Sequence, residues 1–342
     1  MNTDQNITSG DATRSGKPAP KRWGYIAGAL IGAIILVVIG YVAVTAMQRQ
    51  RELANESTGD YTKQIEVERR SDGNRTSRGE GESDGASSYV ERFLASYPRD
   101  AETHPLQPLL ALTEQTLATM RRDVRDYTAT MVKQERVNGT LLEQQVLTCK
   151  IRQMQHAESG EPARPFSVYL RFLEPNSVKG REVIWVPDQN DGKMLAHEGG
   201  WKNLTTVRLP PKSKLAMIGN RYPITEIGLE NLLVKLLEIG GTELAHGTCE
   251  VRVTHDLAIN DRPCSLIEIR QTERREGQQF YRAEIYLDHE LELPVRYAAY
   301  DWPEEEGGEP LLLEQYTYAD LKLNVGLSDE DFDPQNSAYH FH

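Results

Sequence analysis

The stretch YTATMVKQERVNGTLLEQQVLTCKIRQM, residues 127–154, decides the fold. Two runs of β type, Tyr127 to Val137 and Leu141 to Met154, flank Asn138-Gly139, a dipeptide that tolerates the positive φ angles of a tight turn. An antiparallel hairpin is the expected result. Upstream, Leu106, Leu109, Leu110, Leu117, Met120 and Val124 recur at the spacing of an amphipathic helix of about 20 residues, which opens the domain.

Downstream the chain keeps the β pattern. Strands are expected at Phe166 to Leu173, Arg181 to Val186, Lys193 to His197 and Trp201 to Leu209, broken by Glu174-Pro175-Asn176, Asp188 to Gly192 and Gly199-Gly200. Links this short make an antiparallel meander. Thr225 then reads as the N-cap of a second helix, Glu226 to Ile239, ended by Gly240-Gly241 and carrying an apolar stripe of Leu229, Leu232, Leu233, Leu236 and Leu237. Further strands are expected at Thr248 to His255, Cys264 to Thr272, Gln279 to Asp288, Pro294 to Trp302 and Leu311 to Tyr318.

The order helix, strands, helix, strands, with the closing segment Tyr318-Ala-Asp-Leu-Lys-Leu-Asn-Val-Gly-Leu-Ser-Asp-Glu-Asp-Phe332, resembles the LolA/LolB lipoprotein-carrier superfamily. The phrase Ala283 to Asp288 followed by Leu293-Pro294-Val295-Arg296 is similar to one repeated in that superfamily. More specifically, Pro165 to Leu173 with Gly180-Arg181-Glu182-Val183 and Asn190 to Glu198 resembles domain-of-unknown-function family 1571, chiefly planctomycete, over roughly Leu106 to Phe341. The resemblance implies an α+β fold: an incomplete, curved antiparallel β-barrel with helices over its open face and an apolar cavity between them. The carriers use such a cavity for acyl chains, while some relatives serve as envelope-stress sensors or structural modules.

Toward the N-terminus, Trp23 to Met47 is free of charge over about 25 residues, enough to span a ~30 Å hydrocarbon core. Length favours an uncleaved transmembrane anchor; the competing reading is a cleaved secretory signal, for which Val44 and Ala46 suit the positions before a cut. Arg14, Lys17, Lys21 and Arg22 give a slight basic excess ahead of the span, which favours a cytoplasmic leader over residues 1–22 and an extracytoplasmic C-terminal part at the inner membrane. Residues 48–102 are polar, with Arg69 to Ser88 dense in Ser, Gly and charge, and read as a disordered tether. Within it the patch Tyr89 to Tyr97 could form a short helix, but weak docking alone is the favoured reading. Residues 103–342 form the folded domain.

The whole chain carries a net charge of −12. From His104 onward 26 Lys and Arg face 37 Asp and Glu, a balance that repels phosphate backbones and anionic lipid headgroups alike and argues against nucleic acid as a partner. Strand alternation puts Val168, Leu170 and Phe172 on one face, Val183 and Trp185 on the next strand, and Val251 with Val253 on another. With the leucine stripe of the second helix these are the candidate cavity walls. Plain sheet-to-helix core reads the same, since a lipid pocket and a dry core use the same residue types.

No metal site is expected. Asp188 to Lys193 lacks the alternate ligands of a calcium loop, the histidines 197, 246, 255 and 289 show no paired spacing, and His340 and His342 sit where fraying is expected. There is no Gly-x-Ser-x-Gly elbow and no phosphate-cradling loop, so neither enzyme chemistry nor a cofactor is expected. Cys149, Cys249 and Cys264 read as buried free thiols, and the acidic runs Glu304 to Glu306 and Asp329 to Asp333 as solvated loops. The expected function is a tethered envelope module that holds a lipid or lipidated peptide in a half-barrel cavity; the rival is a ligand-free protein-interaction or stress-sensor module on the same scaffold.

Overall fold

A computed structural model describes residues 67–69, 88–100, 102–156, 163–199 and 205–341. Among the described residues three α-helices, α1 (Tyr89–Ser96), α2 (Gln107–Asp123) and α3 (Leu229–His246), accompany one sheet. Its strands are β1 (Val67–Arg69), β2 (Asp126–Val137), β3 (Thr140–Leu141), β4 (Gln145–Arg152), β5 (Ser167–Glu174), β6 (Glu182–Trp185), β7 (Met194–His197) and β8 (Thr206–Leu209). After α3 follow β9 (Cys249–Ile259), β10 (Arg262–Gln271), β11 (Arg282–Asp288), β12 (Pro294–Asp301) and β13 (Leu311–Leu323).

The order across the sheet is β1-β9-β10-β11-β12-β13-β2-β4-β5-β6-β7-β8, with β3 paired only to β2, and every described ladder is antiparallel. This is an open sheet. The chain lays down β2 to β8 outward to one edge, then returns so that β13 closes against β2. The segment from β8 to β9 must therefore cross the sheet, and α3 makes the crossing over one face. Asn138 and Gly139 both take positive φ (50° and 80°), as the hairpin turn requires.

The cross-over helix differs from its expected bounds at both ends. It starts at Leu229, with Thr225 left in a 3-10 turn (Ile224–Glu226), because the Tyr127 hydroxyl on β2 accepts a hydrogen bond from the Leu229 amide at 2.8 Å. Gly228 makes the approach possible: its φ is +107°, and a Cβ there would sit 2.8 Å from that hydroxyl. At the other end the helix runs through Gly240-Gly241 to His246. A Cβ on Gly240 would meet Leu110 Cδ2 of α2 at 2.5 Å, so this glycine serves helix packing and not termination.

Two apolar clusters lie between the sheet and the helices. One gathers Leu117 and Met120 of α2 and Leu229 and Leu233 of α3 over β2, β4, β5, β6 and β7; the other gathers Leu109 and Leu112 of α2 with Val90 of α1 over β9 to β12. The opposite face is also covered. Tyr169, Ile184 and Val186 pack against Leu327, Phe332 and Tyr339, with the Tyr169 and Tyr339 rings stacked at 4.1 Å.

That cover corrects two expectations. The segment holding His340 does not fray: its amide and its Nδ1 lie 2.8 and 3.0 Å from the fully buried Glu182 carboxylate. Nor is Asp329 to Asp333 simply solvated, since Asp331 pairs with Lys150 at 2.7 Å and Asp329 with the buried Arg152 at 2.6 Å. Glu304 to Glu306 is exposed.

Two pieces of the stretch read as tether are ordered. β1 adds to β9, and α1 carries a complete capping box from Ser88 and Glu91 and buries Val90. The apolar run Trp23 to Met47 lies outside the described residues, and among those described no helix is long and apolar enough to cross a membrane.

Candidate functional site

Alternation on β2 and β13 places Met131, Lys133 and Glu135 beside Tyr318, Tyr316 and Glu314, with Tyr316 opposite Lys133 and Glu314 opposite Glu135 in register. These six face the helix side of the sheet, and with β5 to β8, the loop after β8 and α3 they enclose a cavity of about 680 Å³. One part of its wall is apolar: Leu170, Phe172, Val183 and Met194 from the sheet, Leu232, Leu236 and Ile239 from α3. Val207, Leu215, Ala216 and Ile218 complete it at the mouth.

The other part is polar, with Lys133, Glu135 and Glu314 buried and Asn220, Arg221, Tyr222 and Tyr316 partly so. Lys133 Nζ donates to Glu135 Oε2 at 3.1 Å and to Asn220 Oδ1 at 2.9 Å. Arg221 Nε approaches Glu314 Oε2 at 3.1 Å, Tyr222 donates to Glu314 Oε1 at 3.1 Å, and the Tyr316 hydroxyl donates to Glu135. Burial pushes the Glu314 carboxyl above the ordinary glutamate range, and the neighbouring Glu135 charge adds to this, while Arg221 and the two tyrosine hydroxyls pull it back. Burial likewise raises the Tyr222 phenol to about 12. Two cations against two carboxylates leave the cluster close to neutral, so a ligand entering here meets paired donors and acceptors and no naked charge.

The expected cavity residues divide three ways. Leu170, Phe172, Val183, Leu232 and Leu236 line the cavity. Val168, Leu229 and Leu233 are buried in the packed cluster beside it, and Leu237 and Trp185 pack against that cluster, Trp185 near Phe166. Val251 and Val253 belong to a separate hollow of about 540 Å³ beneath α1 and the start of α2, shared with Glu91, Arg99, His104 and His255. The polar cluster went unread in the sequence. Its signal was the parity of Tyr127, Ala129, Met131, Lys133 and Glu135, which carries two charges onto the buried face.

The remaining candidates have structural surroundings. Asp188, Asn190 and Asp191 take positive φ around a 3-10 turn (Asn190–Gly192). Cys149, Cys249 and Cys264 are free, buried, and in three different apolar clusters. Among the described residues no three His, Cys, Asp or Glu side chains converge to hold an ion.

Among the described residues the site is thus a mixed apolar and polar cavity between an open antiparallel sheet and its cross-over helix. Residues 124–341 match the family described as protein of unknown function, DUF1571, and the chain belongs to that family. Among curated proteins none matches. A DUF1329 family protein from Desulfovibrio piger is 15% identical, with 68% of this chain and 98% of that one covered at a TM-score of 0.33. A putative outer membrane lipoprotein-sorting protein domain from Vibrio parahaemolyticus is 13% identical, covering 66% and 95% at 0.31. A LolA superfamily protein from Nitrosomonas europaea is 10% identical, covering 65% and 96% at 0.27. At these scores the overlap says nothing about function, and the fold stands on the strand ladders described above.

Proposed function

We propose that this protein is a membrane-anchored, exported binding module, without catalytic activity, that holds an apolar or amphipathic ligand, a lipid or lipidated peptide, between its sheet and α3. The observation that carries this is the cavity of about 680 Å³, inside the ~300–1,000 Å³ span of ligand sites. Its apolar wall suits an acyl chain, at about 0.8 kcal/mol for each CH₂ withdrawn from water. The Lys133–Glu135–Glu314 cluster suits a polar head or peptide end. The charge-free run Trp23 to Met47 would hold the module at the extracytoplasmic face of the inner membrane.

Native mass spectrometry of the gently purified full chain tests the ligand: an acyl-bearing species bound one to one is expected, and a chain that emerges empty favours the ligand-free interaction module. The anchor is tested separately by sequencing the mature N-terminus. A start at or near Met47 would overturn it.

A further inference from the structure

The chain carries a net charge of −12, yet from Gly199 to Thr225 it contains five Lys or Arg and no Asp or Glu. Within this stretch β8 and the loop after it form one side of the cavity mouth. Three apolar side chains there are turned outward: Val207 is 39% exposed, Leu215 57% and Ile218 59%. Arg208, Lys212 and Lys214 are exposed among them. Sheet cores do not need such residues, and their exposure to water costs free energy unless something covers them.

We infer that this side of the mouth docks on an anionic lipid surface, with Leu215 and Ile218 entering the headgroup boundary while Arg208 and Lys214 contact the lipid phosphates. Apolar side chains interleaved with basic ones are the chemistry of an interfacial segment. Charge complementarity selects the partner, because the rest of this acidic molecule would be repelled by the same surface. The α3 side of the mouth is different: Glu226 pairs with Lys212 at 3.2 Å and Glu238 with Lys235 at 3.4 Å. Docking is therefore one-sided, and Lys212 contributes less than Arg208 and Lys214. The geometry places the cavity opening against the bilayer, so a ligand leaving the membrane need not cross water. The docking itself does not depend on what the cavity holds.

The test uses the full-length chain in vesicles, with a nitrobenzoxadiazole label on Ile218→Cys or, as control, on Val325→Cys, an exposed site elsewhere. The native thiols are buried, which raises them to about 12, 11 and 12 for Cys149, Cys249 and Cys264, so labelling falls on the new cysteine. In phosphatidylcholine mixed with phosphatidylglycerol, emission from position 218 should shift to the blue and be quenched by brominated lipid. Phosphatidylcholine alone, or high salt, should abolish both effects, and position 325 should stay unquenched. Each basic residue near an anionic surface is worth about fivefold in occupancy, so Arg208→Gln with Lys214→Gln should lower the docked fraction between one and two orders of magnitude.

A label at 218 that bromolipid never quenches overturns the inference, including one that shifts to the blue against protein alone. Quenching that ignores lipid charge and salt also overturns it. A chain that takes up an acyl probe while position 218 stays dry sinks only the docking; docking without uptake sinks only the cavity reading.

Discussion

Helix α3 presents two rows of leucine to one sheet, and the rows meet different surroundings. Leu229 and Leu233 are almost fully buried in the cluster over β2, β4 and β5, whereas Leu232 and Leu236, on the adjacent row, face the cavity and remain partly exposed. The composition is identical and the periodicity continuous. What separates them is the partner: Leu229 and Leu233 are buried in the cluster with Tyr127, Ile151 and Val168, while Leu232 and Leu236 sit where the cavity borders the second cluster, packing against that cluster and lining the cavity as well. A helix can thus be clamped by one row and still serve as a wall by the other.

This contrast can be broken by truncation. Leu233→Ala should cost about 2–5 kcal/mol in urea unfolding, because close-packed neighbours leave a void. Leu236→Ala should cost less than about 2 kcal/mol, since the space beside it already exists. Equal losses at both positions would mean that the two rows are one core.

The clamp also depends on the helix start. Gly228→Ala forces a side chain into φ +107° and 2.8 Å from the Tyr127 hydroxyl, so a loss on the order of 1–3 kcal/mol is expected. Weaker hydrogen-exchange protection at Leu229 should accompany it. A variant as stable as wild type would show that Tyr127 does not set the start of α3.

The smallest effect concerns the polar end of the cavity. Folding favours protonated Glu314, so the folded protein retains a proton that the unfolded chain has released. Stability should therefore fall as pH rises from the ordinary glutamate value, ~4.3, through the raised value of Glu314. Glu314→Gln should flatten that part of the profile, as read by urea midpoints across pH. An unchanged slope would show that the carboxyl is solvated and the cluster open to water.

The alternation of β2, β4 and β5, the Asn138-Gly139 turn and the heptad-like leucines of α2 and α3 were legible because each is a local pattern that a single element satisfies. What escaped depends on distant partners. Gly240 reads as a helix stop until Leu110 of α2 is seen against it. Asp331 reads as solvated until Lys150 of β4 is found beneath it, whereas Asp329 reaches the buried Arg152 and still stays exposed. Likewise the leucine stripe predicts an apolar face but not which leucines meet a gap, since a gap is a property of what lies opposite. Strand β9 shows the same limit: Val251 and Val253 alternate correctly yet open onto the hollow under α1 and not onto the main cavity.

The central claim is that the space beneath Leu236 is a ligand site, and filling it is the most direct test. Binding of a fluorescent fatty-acid probe to the full-length chain should be saturable and one to one after delipidation. Leu236→Trp should abolish it while leaving the urea midpoint within the range of wild type, because the indole occupies a cavity and not a packed core. Wild-type chain that takes up no probe, or a tryptophan variant that binds it as well as wild type does, would contradict the account.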